Sequence, residues 1–189
     1  ALKVGPGTTD VDMGPLVTRE HRAKVKGHID AGVAEGAALV VDGRELKIAG
    51  HESGFFLGPT LFDRVTPAMS IYQHEIFGPV LIVLRADSLD DAIALINANP
   101  YGNGTAVFTN SGAAARKFED EIQVGMVGIN VPIPVPISIL PFGGWKQSLF
   151  GDLHMYGPEG IKFYTRTKVA TTRWPRESAA NAFHMPVIT

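Results

Sequence analysis

The stretch PVLIVL at residues 79–84, with SLDD following at residues 88–91, decides the fold of this 189-residue chain. The unbroken apolar run from Val80 to Leu84 predicts a strand covered on both faces, as in a parallel sheet flanked by helices. Ser88 is a typical helix N-cap. Behind it, apolar residues share one helical face: Leu89, Ala92, Ile93 and Ile96. The stretch therefore predicts one strand followed by one amphipathic helix.

The same alternation continues on both sides of this stretch. Short strands are predicted at residues 38–41, 60–65, 105–109 and 125–130, and a second helix at residues 112–123. A further helix begins after Thr18 as N-cap and stops near Gly36. Its predicted apolar stripe is His21, Val25, Ile29 and Val33. Strands and helices that alternate with short connections predict an α/β sandwich.

Composition and charge exclude several classes of function. The chain is 45% hydrophobic and 19% charged, with a formal net charge of −2. This balance indicates a globular protein and gives no electrostatic reason to expect nucleic acid or a membrane surface as partner. No apolar run reaches the roughly 18–20 residues of a membrane span, and the first residues do not form a signal peptide. The six histidines show no metal-binding spacing. We therefore expect a protein of the cytoplasm, or of the mitochondrial matrix in a eukaryote, without a metal site.

The chain contains no cysteine. This removes disulfides, thiolate metal sites and thiol catalysis together.

The last third of the chain departs from the alternation. Four prolines between residues 131 and 141 predict an extended loop, because proline disfavours helix interiors and sheet centres. The stretch from Ile161 to Thr172 is rich in β-branched and aromatic residues and predicts a long strand that pairs outside the local core. We accordingly predict a distal catalytic-domain segment at residues 1–145, a loop and oligomerisation strand at residues 146–174, and a tail at residues 175–189.

Two motifs carry possible chemistry: HEIFGPV at residues 74–80 and PFGGWKQS at residues 141–148. An acid such as Glu75 can accept hydrogen bonds from two ribose hydroxyls, as in dinucleotide sites. Phe77 could form a flat apolar wall. Two glycines after Phe142 allow a sharp backbone turn beside a ligand. From chemistry alone, the first motif is more typical of a surface turn with a packed phenylalanine. The second is more typical of a glycine loop under which two aromatic side chains, Phe142 and Trp145, pack in the core.

Both motifs, in this order, resemble the aldehyde dehydrogenase family. The segments 13–16, 101–109 and 125–130 resemble it as well. The resemblance implies the partial parallel-sheet, three-layer α/β catalytic domain of that family, with NAD as cofactor. Mapped by residue, it implies Glu75 on the nicotinamide ribose, Phe77 beside the nicotinamide ring and Phe142 in the aldehyde pocket. The family nucleophile is a cysteine, so we expect a carboxy-terminal piece that lies downstream of it, holds no catalytic residue and is inactive alone.

Residues 148–152, 160–168 and 171–174 are similar to the methylmalonate-semialdehyde dehydrogenase branch of this family. That resemblance implies NAD-dependent oxidation of methylmalonate or malonate semialdehyde with acyl transfer to coenzyme A, a step of valine catabolism. It also implies a homo-oligomer, a dimer or tetramer, formed through the strand Ile161 to Thr172. Two alternatives stay open: a non-catalytic binding or oligomerisation module, and a fragment of a coenzyme A-independent aldehyde dehydrogenase.

Overall fold

The computed structural model describes residues 2–174, and the predicted tail at residues 175–189 lies outside them. Contacts within the chain divide it into two compact units, Ala1–Ala92 and Ile93–Thr189. Each unit is described by itself. Both combine helices with short strands, so the α/β class predicted from the sequence is confirmed.

The first unit is built on a three-stranded sheet of order β1-β2-β3. Its elements are α1 (Arg19–Ala34), β1 (Ala38–Val41), β2 (Thr60–Asp63), α2 (Ser70–Gln73) and β3 (Val80–Ile82). Strand β2 pairs in parallel with β3, with Thr60 opposite Val80, whereas β1 is antiparallel to β2. The sheet is therefore mixed, and only its β2–β3 half has the parallel arrangement that the sequence predicts.

Helix α1 packs two residues of its predicted stripe, Val25 and Ile29, into the core of this unit, whereas His21 is half-buried and Val33 is exposed. The Thr18 hydroxyl accepts a hydrogen bond from the His21 amide and caps the helix, as predicted. Val25 and Ile29 are fully buried, but Val33 is 42% exposed. A stripe with a period of four drifts around a helix of 3.6 residues per turn. Gly32 therefore takes the inward position, where an added Cβ would lie 2.8 Å from an Ile71 methyl carbon.

Strand β3 is shorter and more open than its sequence predicts. It has three residues, and Leu81 is 65% exposed, so the prediction of a strand covered on both faces is wrong for the described part of the chain. In the described sheet β3 is an edge strand, because β2 pairs with it on one side only. An apolar sequence shows that a strand can be buried, but both of its faces are buried only where another layer of helices or strands packs on each of them.

As far as residue 174, where the description ends, the second unit contains two small sheets and three helices. Its elements are α3 (Leu89–Ala98), which begins just before the division, β4 (Tyr101–Gly102), β5 (Gly104–Val107), α4 (Gly112–Glu121), β6 (Met126–Ile129), β7 (Trp145–Lys146) and α5 (Gly157–Tyr164). Strands β5 and β6 are parallel, and β4 and β7 are antiparallel. The buried apolar residues of this unit are Ile93, Phe118, Ile122, Val124 and Met126.

The predicted strand from Ile161 to Thr172 is not a strand in the structure. Residues 161–164 form the end of helix α5, and residues 165–174 are exposed without regular structure. Pro158 lies in the first helical turn, where its fixed φ favours a helix start, and Glu159 adds acidic charge there. A strand also needs a neighbour for its backbone groups, and within residues 2–174 none pairs with residues 165–174.

In the part of the chain that the structure describes, no helix combines the length and apolar character needed to cross a bilayer.

Candidate cofactor and substrate site

The turn between α2 and β3 presents Glu75 and Phe77 outward around a buried anchor. Ile76, between them, is 8% exposed and belongs to the core cluster of the first unit. Glu75 is exposed, and Phe77 is 76% exposed. The backbone is extended at His74, where α2 ends, and of the three residues that follow only Ile76 is buried.

Phe77 adopts a backbone conformation that bulky residues rarely take. Its φ is 55°, in the left-handed region that favours glycine. His21 Nε2 lies 2.6 Å from the Phe77 carbonyl oxygen, so this ring nitrogen carries the proton and donates. Gly78 follows at a point where an added Cβ would lie 2.7 Å from Val25. The turn is thus held from α1, and local strain of this kind is found at ligand-binding sites.

The Glu75 carboxylate makes no hydrogen bond or ion pair with any described residue. An exposed, unengaged carboxylate can accept hydrogen bonds from two neighbouring hydroxyls of a ligand. The exposed Phe77 ring offers a flat apolar face next to it. An acceptor for hydroxyl groups and an apolar face therefore lie on one turn, a combination that fits a ribose with an attached aromatic ring.

Phe142 is half-buried and starts a loop of closely packed glycines in the second unit. Its ring centroid lies 5.6 Å from that of Tyr156. Gly143 has a φ of 150°, and an added Cβ at Gly144 would lie 2.7 Å from the Asn103 Cα. An added Cβ at Gly125 would meet the Gly143 carbonyl oxygen. Backbone lies against backbone here, which explains the pair of glycines behind Phe142.

The residues after the glycines attach this loop to the end of α3. Lys146 Nζ donates to the carbonyl oxygens of Asn97, at 2.8 Å, and Asn99, at 3.0 Å. The Gln147 amide donates to the Pro100 carbonyl oxygen. Ser148 Oγ accepts from the Gly102 amide at 3.1 Å. We define Lys146, Gln147 and Ser148 with these contacts as the clamp.

The clamp was not predicted from the sequence. The available signal was a lysine and a serine at fixed spacing behind Gly-Gly, together with a helix end at residues 97–100 whose carbonyls need donors.

Helix α5 begins with a second polar contact near the loop. Glu159 Oε2 accepts from the His154 amide at 2.7 Å and from His154 Nδ1 at 2.6 Å. These bonds, the backbone bond first, hold the pKa of Glu159 below its ordinary value. Beside them is a pocket of about 330 Å³ whose walls include Phe163 and Tyr164.

The structure brings two of the three predicted site residues together. Glu75 and Phe77 share one turn of the first unit, whereas Phe142 belongs to the second unit. The role of each toward a ligand stays a prediction. Within residues 2–174, no group of three or more histidine, aspartate or glutamate side chains is arranged to hold a metal ion.

Comparison with known proteins gives consistent similarities along almost the whole chain. The sequence model of the aldehyde dehydrogenase family matches residues 1–170. The chain is 63% identical over 183 residues to malonate-semialdehyde dehydrogenase of Pseudomonas aeruginosa, which covers 96% of this chain and 37% of that protein. It is 50% identical over 180 residues to the acylating, mitochondrial methylmalonate-semialdehyde/malonate-semialdehyde dehydrogenase of Bos taurus, covering 95% of this chain and 34% of that protein.

Solved structures agree with these relatives. The methylmalonate-semialdehyde dehydrogenase of Oceanimonas doudoroffii superposes with a TM-score of 0.90 at 58% identity, covering 93% of this chain and 36% of that one. An aldehyde dehydrogenase of Mycobacterium tuberculosis, complexed with NAD+, gives a TM-score of 0.78 at 38% identity, covering 88% of this chain and 33% of that one. The chain thus spans little more than a third of the length of these relatives.

Proposed function

Because this chain belongs to the aldehyde dehydrogenase family, we propose that it is part of an NAD-dependent, coenzyme A-acylating methylmalonate- or malonate-semialdehyde dehydrogenase. The observation that carries the proposal is the 63% identity to malonate-semialdehyde dehydrogenase of Pseudomonas aeruginosa. The Bos taurus relative, named as acylating, supports coenzyme A as the acyl acceptor. The Mycobacterium tuberculosis neighbour, complexed with NAD+, supports the cofactor.

The first unit supplies part of the cofactor site in this proposal. NAD, when bound, would supply the hydride acceptor for oxidation of the aldehyde. The Glu75 carboxylate accepts hydrogen bonds from the ribose hydroxyls, and Phe77 packs beside the nicotinamide ring. The observation in favour is that both side chains are exposed on a turn fixed by Ile76 and His21. A fixed turn lowers the entropy cost of orienting the Phe77 ring at binding.

The second unit supplies one wall of the aldehyde pocket. Phe142 is half-buried against Tyr156, so its ring is held while part of its surface stays accessible. An apolar wall at this place excludes water from the reacting carbon and orients the alkyl part of the substrate.

The nucleophile and the dinucleotide-binding unit belong to other parts of the enzyme. The chain has no cysteine, so it cannot supply the thiolate that attacks the aldehyde. We place this chain after the nucleophile in the complete enzyme, because its motifs resemble those of the family's distal catalytic domain. An open pocket of about 620 Å³ on the first unit, lined largely by apolar residues including Leu61, Val80 and Leu81, supports a larger domain around it.

The subunit interface is proposed at residues 161–172. The exposed side chains from 165 to 172 include apolar Val169, which is 86% exposed and has no cover within the described chain. We propose that this segment mediates a homo-oligomer of the complete enzyme. The enzyme works in the cytoplasm, or in the mitochondrial matrix of a eukaryote.

The experiment that tests the function compares two proteins in an assay of NADH formation from malonate semialdehyde, NAD and coenzyme A. The purified chain should form no NADH above the blank, because it has no thiol. The complete enzyme encoded by the parent gene should form NADH, and acyl-coenzyme A should appear in equal amount. Turnover by the chain alone contradicts the proposal, and so does a complete enzyme that forms NADH equally well without coenzyme A.

A matched pair of variants tests the cofactor site in the complete enzyme. Glu75→Gln keeps the size of the side chain but removes its charge, so the KM for NAD should rise by roughly tenfold. His74→Gln, at the neighbouring exposed position, should leave this KM unchanged. An equal effect of both variants would contradict the role of Glu75.

A further inference from the structure

The ammonium group of Lys146 lies at a helix end and not at an open surface. It donates to two carbonyl oxygens, of Asn97 in the last turn of α3 and of Asn99 just behind it. Both contacts are partly buried. Carbonyls at a helix C-terminus lack partners within the helix and carry partial negative charge, so a cation is stabilised there.

The backbone of the same residue is constrained as well. Lys146 has a φ of 55°, in the left-handed region. It pairs with Tyr101 across the two-stranded β4–β7 sheet. A non-glycine residue keeps such a conformation only where surrounding contacts enforce it. The two bonds of its side chain and the sheet pairing are such contacts.

The segment that Lys146 fixes is continuous with the wall of the proposed pocket. Three residues separate Lys146 from Phe142, and Gly143 and Gly144 are among them. The glycines pack on the backbone at residues 102–103 and 125. Movement of Lys146 away from α3 would therefore change the backbone that sets the position of the Phe142 ring.

A lysine beside two glycines is also typical of an anion site, where it would contact a substrate carboxylate directly. Two of the three ammonium donors are already used by Asn97 and Asn99. Only one donor is left for a substrate, and the two partly buried, charge-assisted bonds already fix the ammonium group at the end of α3. The geometry therefore favours a role for Lys146 in holding the loop over direct contact with a ligand.

We propose that Lys146 is a positioning residue: its ammonium group caps the C-terminus of α3 and thereby fixes the Phe142 loop, without contacting the substrate. This deepens the proposed function, since it rests on Phe142 as a wall of the aldehyde pocket. The clamp itself can be tested in this chain without any catalytic assay.

The first experiment measures amide hydrogen exchange by NMR in the 189-residue chain. Lys146→Met keeps the length of the apolar stem and removes the donors. The amides of Gly102 and Gln147, whose bonds join the loop to the end of α3, should exchange faster by on the order of tenfold. Lys146→Arg should restore most of the protection, because a guanidinium still donates.

The amide of Ile29 in the first unit serves as the internal control and should not change. Unchanged protection of Gly102 and Gln147 in K146M would overturn the proposal. Should K146M fail to fold, Lys146→Gln, which keeps one donor group, takes its place with the same two outcomes.

The second experiment uses the complete enzyme and separates positioning from direct contact. K146M should raise the KM by the same factor, on the order of tenfold, for malonate semialdehyde and for uncharged propanal. K146R should restore both values, and the KM for NAD should not change. A rise confined to the carboxylate-bearing substrate would show direct contact and overturn the proposal.

The two experiments fail independently. A complete enzyme that oxidises neither aldehyde would contradict the proposed function, while the exchange rates of Gly102 and Gln147 would still decide the clamp.

Discussion

The turn at residues 75–77 and the loop at residues 142–148 present aromatic side chains by different physical means. The turn is anchored by one apolar side chain, Ile76, buried in the core of the first unit. The loop has no apolar side chain that is buried to the same extent. It is fixed by the polar clamp from Lys146 to Ser148 and by backbone contacts of glycines. A site can thus be positioned by burial or by hydrogen bonding, and the two respond differently to substitution.

The largest effect should follow from removing the apolar anchor. Ile76→Ala deletes three buried carbons of the core cluster and should lower the free energy of unfolding by about 3 kcal/mol. Urea unfolding of the chain, followed by circular dichroism, measures this. Phe77→Ala is the matched control, because its ring is 76% exposed and its removal should cost little. Similar losses in both variants would show that the turn is not anchored through Ile76.

The second effect concerns the glycine contacts of the loop. An added methyl group at Gly125 would meet the backbone of Gly143 and Gly144, which cannot move as a flexible side chain can. Gly125→Ala should therefore destabilise the chain by about 2 kcal/mol, as overpacking does.

Gly112→Ala is the control for this substitution. Gly112 begins α4, where an added Cβ would meet only the end of the Arg116 side chain, at 3.4 Å. The alanine should be neutral or stabilise the helix by up to about 1 kcal/mol. Tolerance of alanine at both positions would mean that the loop yields, and that the polar clamp alone fixes it.

The third effect concerns the strained backbone of Phe77, whose ring is exposed and contributes little to stability. Phe77→Val places a β-branched residue at a φ of 55° and should destabilise the chain by about 1 kcal/mol. Phe77→Asn should be neutral or slightly stabilising, because asparagine tolerates the left-handed region. Thermal unfolding of the two variants gives the difference directly. Equal stabilities would indicate that the turn relaxes to a different backbone conformation.

Local signals in the sequence predicted most helices and strands of this chain. Thr18, Ser88 and Ser111 cap helices as their hydroxyls suggest. The turn that carries Glu75 and Phe77 was singled out from its motif, and both side chains are exposed in the structure, while their role toward a ligand stays a prediction. These features depend on neighbours within a few residues, so they can be read from a short window of sequence.

Features that depend on distant partners were not predicted. Leu81 is exposed because nothing among residues 2–174 covers that face of β3, and no local sequence pattern indicates this. The helix at residues 157–164 overrides the β propensity of Ile161, Phe163 and Tyr164, because Pro158 and Glu159 favour a helix start. The clamp joins Lys146 to a helix end 49 residues earlier, and only the folded chain brings them together.

The smallest effect contrasts the acid sensitivity of the two units. Asp42 in the first unit accepts from the Arg44 side chain, which lowers the pKa of Asp42 to about 2. Glu159 in the second unit accepts from the His154 amide and ring, which lowers the pKa of Glu159 as well. A carboxylate whose pKa is lower in the folded chain binds more protons when unfolded, so stability falls as pH falls. The stabilisation from each carboxylate is fully present above the ordinary pKa of the residue. It is lost as the pH falls through the pKa of that residue in the folded chain.

Because the ordinary pKa of glutamate is higher than that of aspartate, the contact at the start of α5 should begin to weaken at higher pH than the Asp42–Arg44 contact. An NMR titration from neutral pH downward should show the His154 amide shifting before the Arg44 Nε signal. Glu159→Gln should abolish the first shift and leave the second. Asp42 is exposed and Glu159 is only half-buried, so solvent screens both contacts and the change in overall stability should be slight. If the His154 amide and Arg44 Nε signals shifted at the same pH, the two units would unfold together in acid. Anchoring by burial in the first unit would then be no more resistant to acid than anchoring by hydrogen bonds in the second.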